Sequence, residues 1–318
     1  MIRPTIGIDL GGTKIEGVLL DQTGSILHRE RIPTEQQGGY EPVLNRILQL
    51  VQRLRERADG EVAPTIGIGT PGAISARTGL LKNSNTICLN GRPLQDDLER
   101  GLQAPVRIEN DANCFALAEA LHGAGRQAEM VFGVILGTGV GGGIVLRGRL
   151  WSGPNRIAGE WGHHSIDPNG PRCYCGQRGC VESLVSGPAL EAAYRDLAGH
   201  AAGPPVRVPE IARLAEAGDP AASVVIENWL DWFAHALANL IDILDPSVIV
   251  LGGGLSNLSL LYDRGIAKVA ARVFDEGLHT PILRHALGDS AGVIGAALLA
   301  REQEDSPTRT ASRDAALA

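Results

Sequence analysis

The residues of this chain best suited to chemistry fall into a few groups. Asn110 and Asp111 are adjacent and stand just ahead of an apolar helical pattern over 112–122. A carboxylate in that position can accept the proton of a reacting hydroxyl, while the neighbouring amide holds another hydroxyl in place. The plainer use of the pair is to cap the helix, and the two uses are compatible. His163 or its neighbour His164, with Cys173, Cys175 and Cys180, supplies four ligands, the number a closed structural Zn²⁺ site takes. The alternative is free or buried thiols beside an unrelated histidine. Pro168, Gly170, Pro171, Gly176 and Gly179 provide the turns that would wrap such a knot around one ion. Glu160 and Glu182 flank it on either side. Carboxylates braced in this way suit hydrogen bonds from vicinal hydroxyls, although a single surface glutamate is by default only solvated.

Two glycine loops share a context. Asp9-Leu-Gly-Gly-Thr-Lys14 is followed by the strand-like Ile15–Asp21, and Leu136-Gly-Thr-Gly-Val-Gly-Gly-Gly143 by Ile144-Val-Leu-Arg-Gly-Arg. Each reads as a β-hairpin with a glycine turn spanning 11–12 or 137–143. Backbone N–H groups in such turns can converge on a phosphate with no Cβ in the way, and Thr13 adds a hydroxyl donor. Asp9, at the end of the first strand, suits a water-mediated hold on Mg²⁺. Dinucleotide-binding and Walker loops open a helix instead, and there is no Gly-Lys dipeptide. Two such turns, one in each half, can grip one polyphosphate between them.

The elements that must position these groups are legible from periodicity. Apolar runs ending in glycine begin at Ile6, Ile66, Val134 and Val248 and read as strands. Over 41–58, Leu44, Ile47, Leu48, Val51 and Leu54 form a helical stripe. The longest helix runs over 219–244, opened by Asp219-Pro220 and stopped before Pro246, with Ile226, Trp229, Phe233, Leu237, Leu240, Ile241 and Leu244 on its apolar side. A last helix falls near 291–302, and the tail 303–318, without apolar periodicity, reads as disordered.

Composition narrows the class. Glycine makes up 41 of 318 residues, while only four Trp, four Tyr and four Phe are present. The glycines follow no three-residue period, and 44% hydrophobic content supports a large core. A net charge of −7 argues against nucleic acid or an anionic membrane as partner. No apolar run is long enough for a transmembrane helix, and the first residues lack a signal-peptide core. Five cysteines, three of them clustered, fit the reducing cytoplasm better than a disulfide framework.

Taken in order, Asp9–Lys14, Glu109–Asn113, Leu136–Gly143, Gly159-Glu-Trp-Gly-His163 with the three cysteines, and Leu251-Gly-Gly-Gly-Leu-Ser256 resemble the ROK family of sugar kinases, within the hexokinase and actin-like ATPase superfamily. The resemblance covers roughly residues 5–300. It implies an α/β, two-domain actin-like ATPase (ribonuclease H-like) fold with an interdomain cleft. The domains would be 1–119, completed by the C-terminal helix 291–302, and 120–290, which carries the zinc loop.

The resemblance also assigns roles. ATP with Mg²⁺ would lie on Asp9, Gly11, Gly12, Thr13, Lys14, Gly137, Thr138 and Gly139, with Gly252, Gly253 and Gly254 against the adenosine. Read alone, that last loop is only a connection. Asn85, Asn110, Asp111, Glu160, His163 and Glu182 would hold the sugar, Asp111 as the base. His163, rather than His164, would join Cys173, Cys175 and Cys180 on a structural Zn²⁺. The stretch 70–95 looks closest to bacterial fructokinases and mannokinases, with N-acetylglucosamine kinases next. It departs from the former at Cys88, where they carry Trp. The expected activity is therefore phosphorylation of a hexose at its 6-hydroxyl, fructose first with mannose or glucose on the side. N-acetylglucosamine or N-acetylmannosamine kinase is the alternative. A sugar-sensing transcriptional regulator of the same family is disfavoured, since the first phosphate-loop strand begins by about residue 5, where a helix-turn-helix domain would stand. A homodimer is the family expectation.

Overall fold

The computed structural model describes residues 3–199 and 204–301. The tail expected to be disordered lies outside them. The glycine-ended apolar runs form the centres of two sheets of identical plan. The first is built from β1 (Thr5–Leu10), β2 (Lys14–Leu20), β3 (Ile26–Pro33), β4 (Ile66–Thr70) and, after the short hairpin β5 (Ala73–Ile74) and β6 (Leu81–Lys82), β7 (Val106–Asn110). The second holds β8 (Met130–Leu136), β9 (Val140–Leu146), β10 (Arg149–Leu150), β11 (Val248–Gly252) and β12 (Ile282–Arg284). Their orders, β3-β2-β1-β4-β7 and β10-β9-β8-β11-β12, match position for position. In each, three antiparallel strands are extended by two parallel ones. The parallel strands β4 and β11 are buried along their whole length, as strands covered on both faces must be.

The helices are α1 (Tyr40–Glu56), α2 (Leu94–Leu102), α3 (Asp111–His122), α4 (Val181–Val185), α5 (Gly187–Leu197), α6 (Val208–Glu216), α7 (Pro220–Leu244), α8 (Ile266–Ala270) and α9 (Ala291–Leu299). The stripe read for α1 is the face it buries, with Leu48 half-covered at its edge. Asp219 caps α7, its carboxylate accepting the Ala222 N–H at 2.7 Å, and the chain leaves α7 through Asp245 in the left-handed region. Helices α3 and α9 lie between the sheets. α3 packs on strands of both, whereas α9 packs chiefly on β1, β4 and α3. Being covered on nearly every side, they are rich in alanine and show no polar face. Among the described residues no helix is long and apolar enough to cross a membrane.

The glycines depart from expectation in one respect. The second glycine turn ends at Gly139, and Gly141, Gly142 and Gly143 lie within β9. A Cβ on Gly142 would stand 2.6 Å from the Trp161 ring, and one on Gly143 would stand 2.9 Å from the Ala112 carbonyl oxygen. These residues therefore let the start of α3 and the loop before His163 lie directly on the sheet. Their sequence signal is that of a loop, but close packing is what requires them.

Candidate active site

Strand β7 ends at Asn110 and α3 begins at Asp111, so a strand-to-helix junction points both side chains into the space between the sheets. Asn110 caps the helix, its Oδ1 accepting the Ala112 N–H at 2.9 Å. The same N–H also approaches Asp111 Oδ1 at 2.8 Å. Asn110 Nδ2 reaches the Gly72 carbonyl at 3.3 Å, tying the junction to the loop that follows β4. The capping reading thus holds, and it leaves a carboxyl in the cleft. Burial pushes the Asp111 carboxyl above its ordinary range, against the pull of backbone N–H groups.

All six residues expected to face a sugar, Asn85, Asn110, Asp111, Glu160, His163 and Glu182, line one cavity of about 630 Å³, together with Gly137, Thr138 and Gly139. Glu182 comes from the start of α4, and its Oε2 accepts the Val140 N–H at 3.0 Å, which fixes it beside the Thr138 turn. Partial burial raises the Glu160 carboxyl; His163 and Lys82 oppose this, while Asp111 and Glu182 reinforce it. Asp9, Gly11, Gly12, Thr13 and Lys14 do not line that cavity, nor do Gly252, Gly253 and Gly254. Asp9 is nonetheless within electrostatic reach of Asp111. Burial, then Asp111 and Glu16, push its carboxyl up to about 7, with Lys14 pulling the other way. The Gly11 turn is held by Thr34, whose hydroxyl donates to the Gly11 carbonyl at 2.6 Å and whose N–H donates to the Thr13 carbonyl.

In the 252–254 loop the glycines serve different ends. A Cβ on Gly252 would meet the Phe115 ring at 2.4 Å. Gly253, at φ 78°, lies against the Leu136 carbonyl, and only Gly254 faces open space.

The ligand atoms of His163, Cys173, Cys175 and Cys180 all lie within 4.8 Å of one another. Cys175 Sγ is 3.5 Å from Cys180 Sγ, and Cys173 Sγ is 3.6 Å from His163 Nδ1. A tetrahedral ion with bonds of about 2.3 Å needs ligands about 3.8 Å apart, so the donor set fits Zn²⁺. Exposed His164 stays outside the cluster. Sequence reasoning missed Thr34 and also Tyr174, which lines the cavity with its hydroxyl 3.0 Å from His163 Nε2. The only available signal was the place of Tyr174 between two ligand cysteines.

The family model for the ROK family matches residues 5–303. This chain belongs to the ROK family. An N-acetyl-D-glucosamine kinase of Yersinia pseudotuberculosis is 38% identical over 305 residues, covering 92% of this chain and 97% of that one. Among solved structures, a ROK hexokinase from Thermus thermophilus superposes with a TM-score of 0.86 at 36% identity, over 95% of this chain and 100% of that one. A ROK family glucokinase from Streptomyces griseus, solved with glucose and AMPPNP, gives 0.76 at 32% identity, over 94% and 99% of the two chains. The paired sheets around α3 and α9 are therefore the two-domain, actin-like ATPase fold of ROK kinases, with the cleft between them.

Proposed function

We propose that this ROK sugar kinase transfers the terminal phosphoryl group of ATP to the 6-hydroxyl of a 2-acetamido hexose, N-acetyl-D-glucosamine first. The observation that carries the reaction is one cavity lined by Asp111 at the start of α3, by Glu160, His163 and Glu182, and by the Gly137–Gly139 turn. Phosphoryl transfer to an alcohol asks the protein mainly for positioning and charge stabilisation, plus a group that accepts the hydroxyl proton. Asp111 is that group, and its raised proton affinity suits the task. Asn85, Asn110, Glu160, His163 and Glu182 hold the sugar hydroxyls. The backbone of the Gly11–Gly12 and Gly137–Gly139 turns, with Thr13, Lys14 and Thr138, cradles the phosphates, and the 252–254 loop borders the adenosine.

Asp9 would hold Mg²⁺, which supplies charge neutralisation on the phosphates. His163, Cys173, Cys175 and Cys180 would hold a structural Zn²⁺ that braces Glu160 and Glu182. In this reading the domains are 1–119 with the C-terminal helix 291–302, and 120–290; residues 119 and 120 themselves fall within α3. Fructose, the first expectation from the sequence, is less well supported than the 2-acetamido sugar, because N-acetyl-D-glucosamine kinases are 38% identical along nearly the whole chain.

The test is one panel of N-acetylglucosamine, N-acetylmannosamine, glucose, mannose and fructose with ATP, read as kcat/KM for phosphate transfer. N-acetylglucosamine should lead. Preference for fructose would restore the earlier reading. Asp111→Asn should lower kcat by about 10²- to 10⁴-fold, the range for losing a general base, while calorimetry still detects sugar binding. A near-normal kcat would remove Asp111 from the role.

A further inference from the structure

We propose that Tyr174 is a sugar-binding residue that selects for an acetamido group at carbon 2; the inference rests on the kinase reading above and names a determinant of its specificity. Tyr174 stands between Cys173 and Cys175, so its backbone is pinned on both sides by the ligand cluster, yet its ring is 77% exposed and lines the cleft. The ring meets His163 edge-on, with centroids 5.0 Å apart and planes at 84°. Its hydroxyl lies 3.0 Å from Nε2, while Nδ1 of the same imidazole faces Cys173 Sγ. The imidazole nitrogen turned away from Cys173 faces the phenol, so Tyr174 stands beside the sugar contact given to His163 above.

If the reacting 6-hydroxyl lies at Asp111, carbon 2 lies on the opposite edge of the sugar ring, and that edge is assigned to Tyr174, which lines the same cavity beside His163 and within electrostatic reach of Glu182 and Glu160. That edge is where glucose and its 2-acetamido counterpart differ. Ionised Glu160 and Glu182 can only accept hydrogen bonds, which suits sugar hydroxyls but repels an amide carbonyl. The Tyr174 hydroxyl can donate to that carbonyl, and its ring offers an apolar surface to the acetyl methyl group. A wall made of the two carboxylates alone would favour the plain hexose.

The experiment compares wild type with Tyr174→Phe, which keeps the ring and removes the hydroxyl. The readouts are kcat/KM for N-acetylglucosamine and for glucose, calorimetric affinity for each sugar, and zinc per chain. The ratio of kcat/KM for N-acetylglucosamine over glucose should fall about five- to tenfold, as expected for one lost hydrogen bond. Zinc content should hold, and kcat/KM for glucose should fall distinctly less than that for N-acetylglucosamine. An unchanged ratio, or equal losses for both sugars, would overturn the proposal while leaving the kinase reading intact. A wild-type enzyme that phosphorylates no sugar of the panel would overturn both.

Discussion

Asp9 and Asp111 illustrate how burial between the sheets raises the proton affinity of a carboxyl. Asp9 ends β1 and Asp111 opens α3 just past β7; burial raises both carboxyls, and Asp111 raises that of Asp9 further. For Asp9, moved from 3.8 to about 7, the folded protein retains a proton that the unfolded chain has lost between those values. The folded state binds more protons there, so Asp9 makes stability fall as pH rises across that window and leaves a constant penalty above it. Asp9→Asn removes the effect. The melting temperature of the variant relative to wild type should therefore climb between pH 5 and pH 8 in nucleotide-free protein. A flat difference across that range would refute the assignment. Asp9, Asp111, Glu160 and Glu182 were legible in the sequence because an acid ahead of a glycine pair, an Asn-Asp pair ahead of a helical pattern, and acids at the edges of a cysteine knot stand out in a linear string. Thr34 was not, because it meets the Gly11 turn from the far end of β3, a contact made only by the β2–β3 pairing.

Hairpins and helices could be read from period and punctuation, and α1 and α7 match their stripes closely. The part that could not be read is why so many glycines occur outside turns. Gly67 in β4 and Gly295 in α9 have no turn to make. A Cβ on Gly67 would stand 1.7 Å from the Ala296 carbonyl oxygen, and one on Gly295 would stand 1.8 Å from that of Cys114. Backbone here meets backbone, which lets α9 settle between β4 and α3. A sequence holds no local trace of such an approach, because the partner is 181 positions away for Cys114 and Gly295. Gly295→Ala should cost about 1–3 kcal/mol or more by overpacking, measured by urea unfolding. Gly254→Ala, facing open space, should leave stability within about 0.5 kcal/mol of wild type. Equal effects at the two positions would contradict this account.

Two sheets of one plan, each with a glycine turn at its first hairpin, make the molecule a pair of matched jaws, and the recurrence of that turn was visible in the sequence. How the jaws share α3 was not. The cysteine knot hangs from the second sheet alone, between β10 and α4, yet it supplies His163 and sets Glu160 and Glu182 along the cleft. Dialysis against a strong chelator should remove close to one zinc per chain, lower the melting temperature, and raise KM for the sugar more than KM for ATP. A folded, metal-free protein with an unchanged sugar KM would break the proposed link between knot and binding site. The placing of α9 also bears on how the protein is made. This helix covers β1 and β4, and Arg301 just beyond it reaches back to the carbonyls of Asp21 and Gln22. During synthesis the first sheet is complete in strands by residue 110, but β1 and β4 lack the cover of α9 until residues 291–299 leave the ribosome. The nascent chain therefore carries an open apolar surface for most of its translation, a natural client for holding chaperones, and a truncation ahead of residue 291 should leave β1, β4 and α3 without their cover.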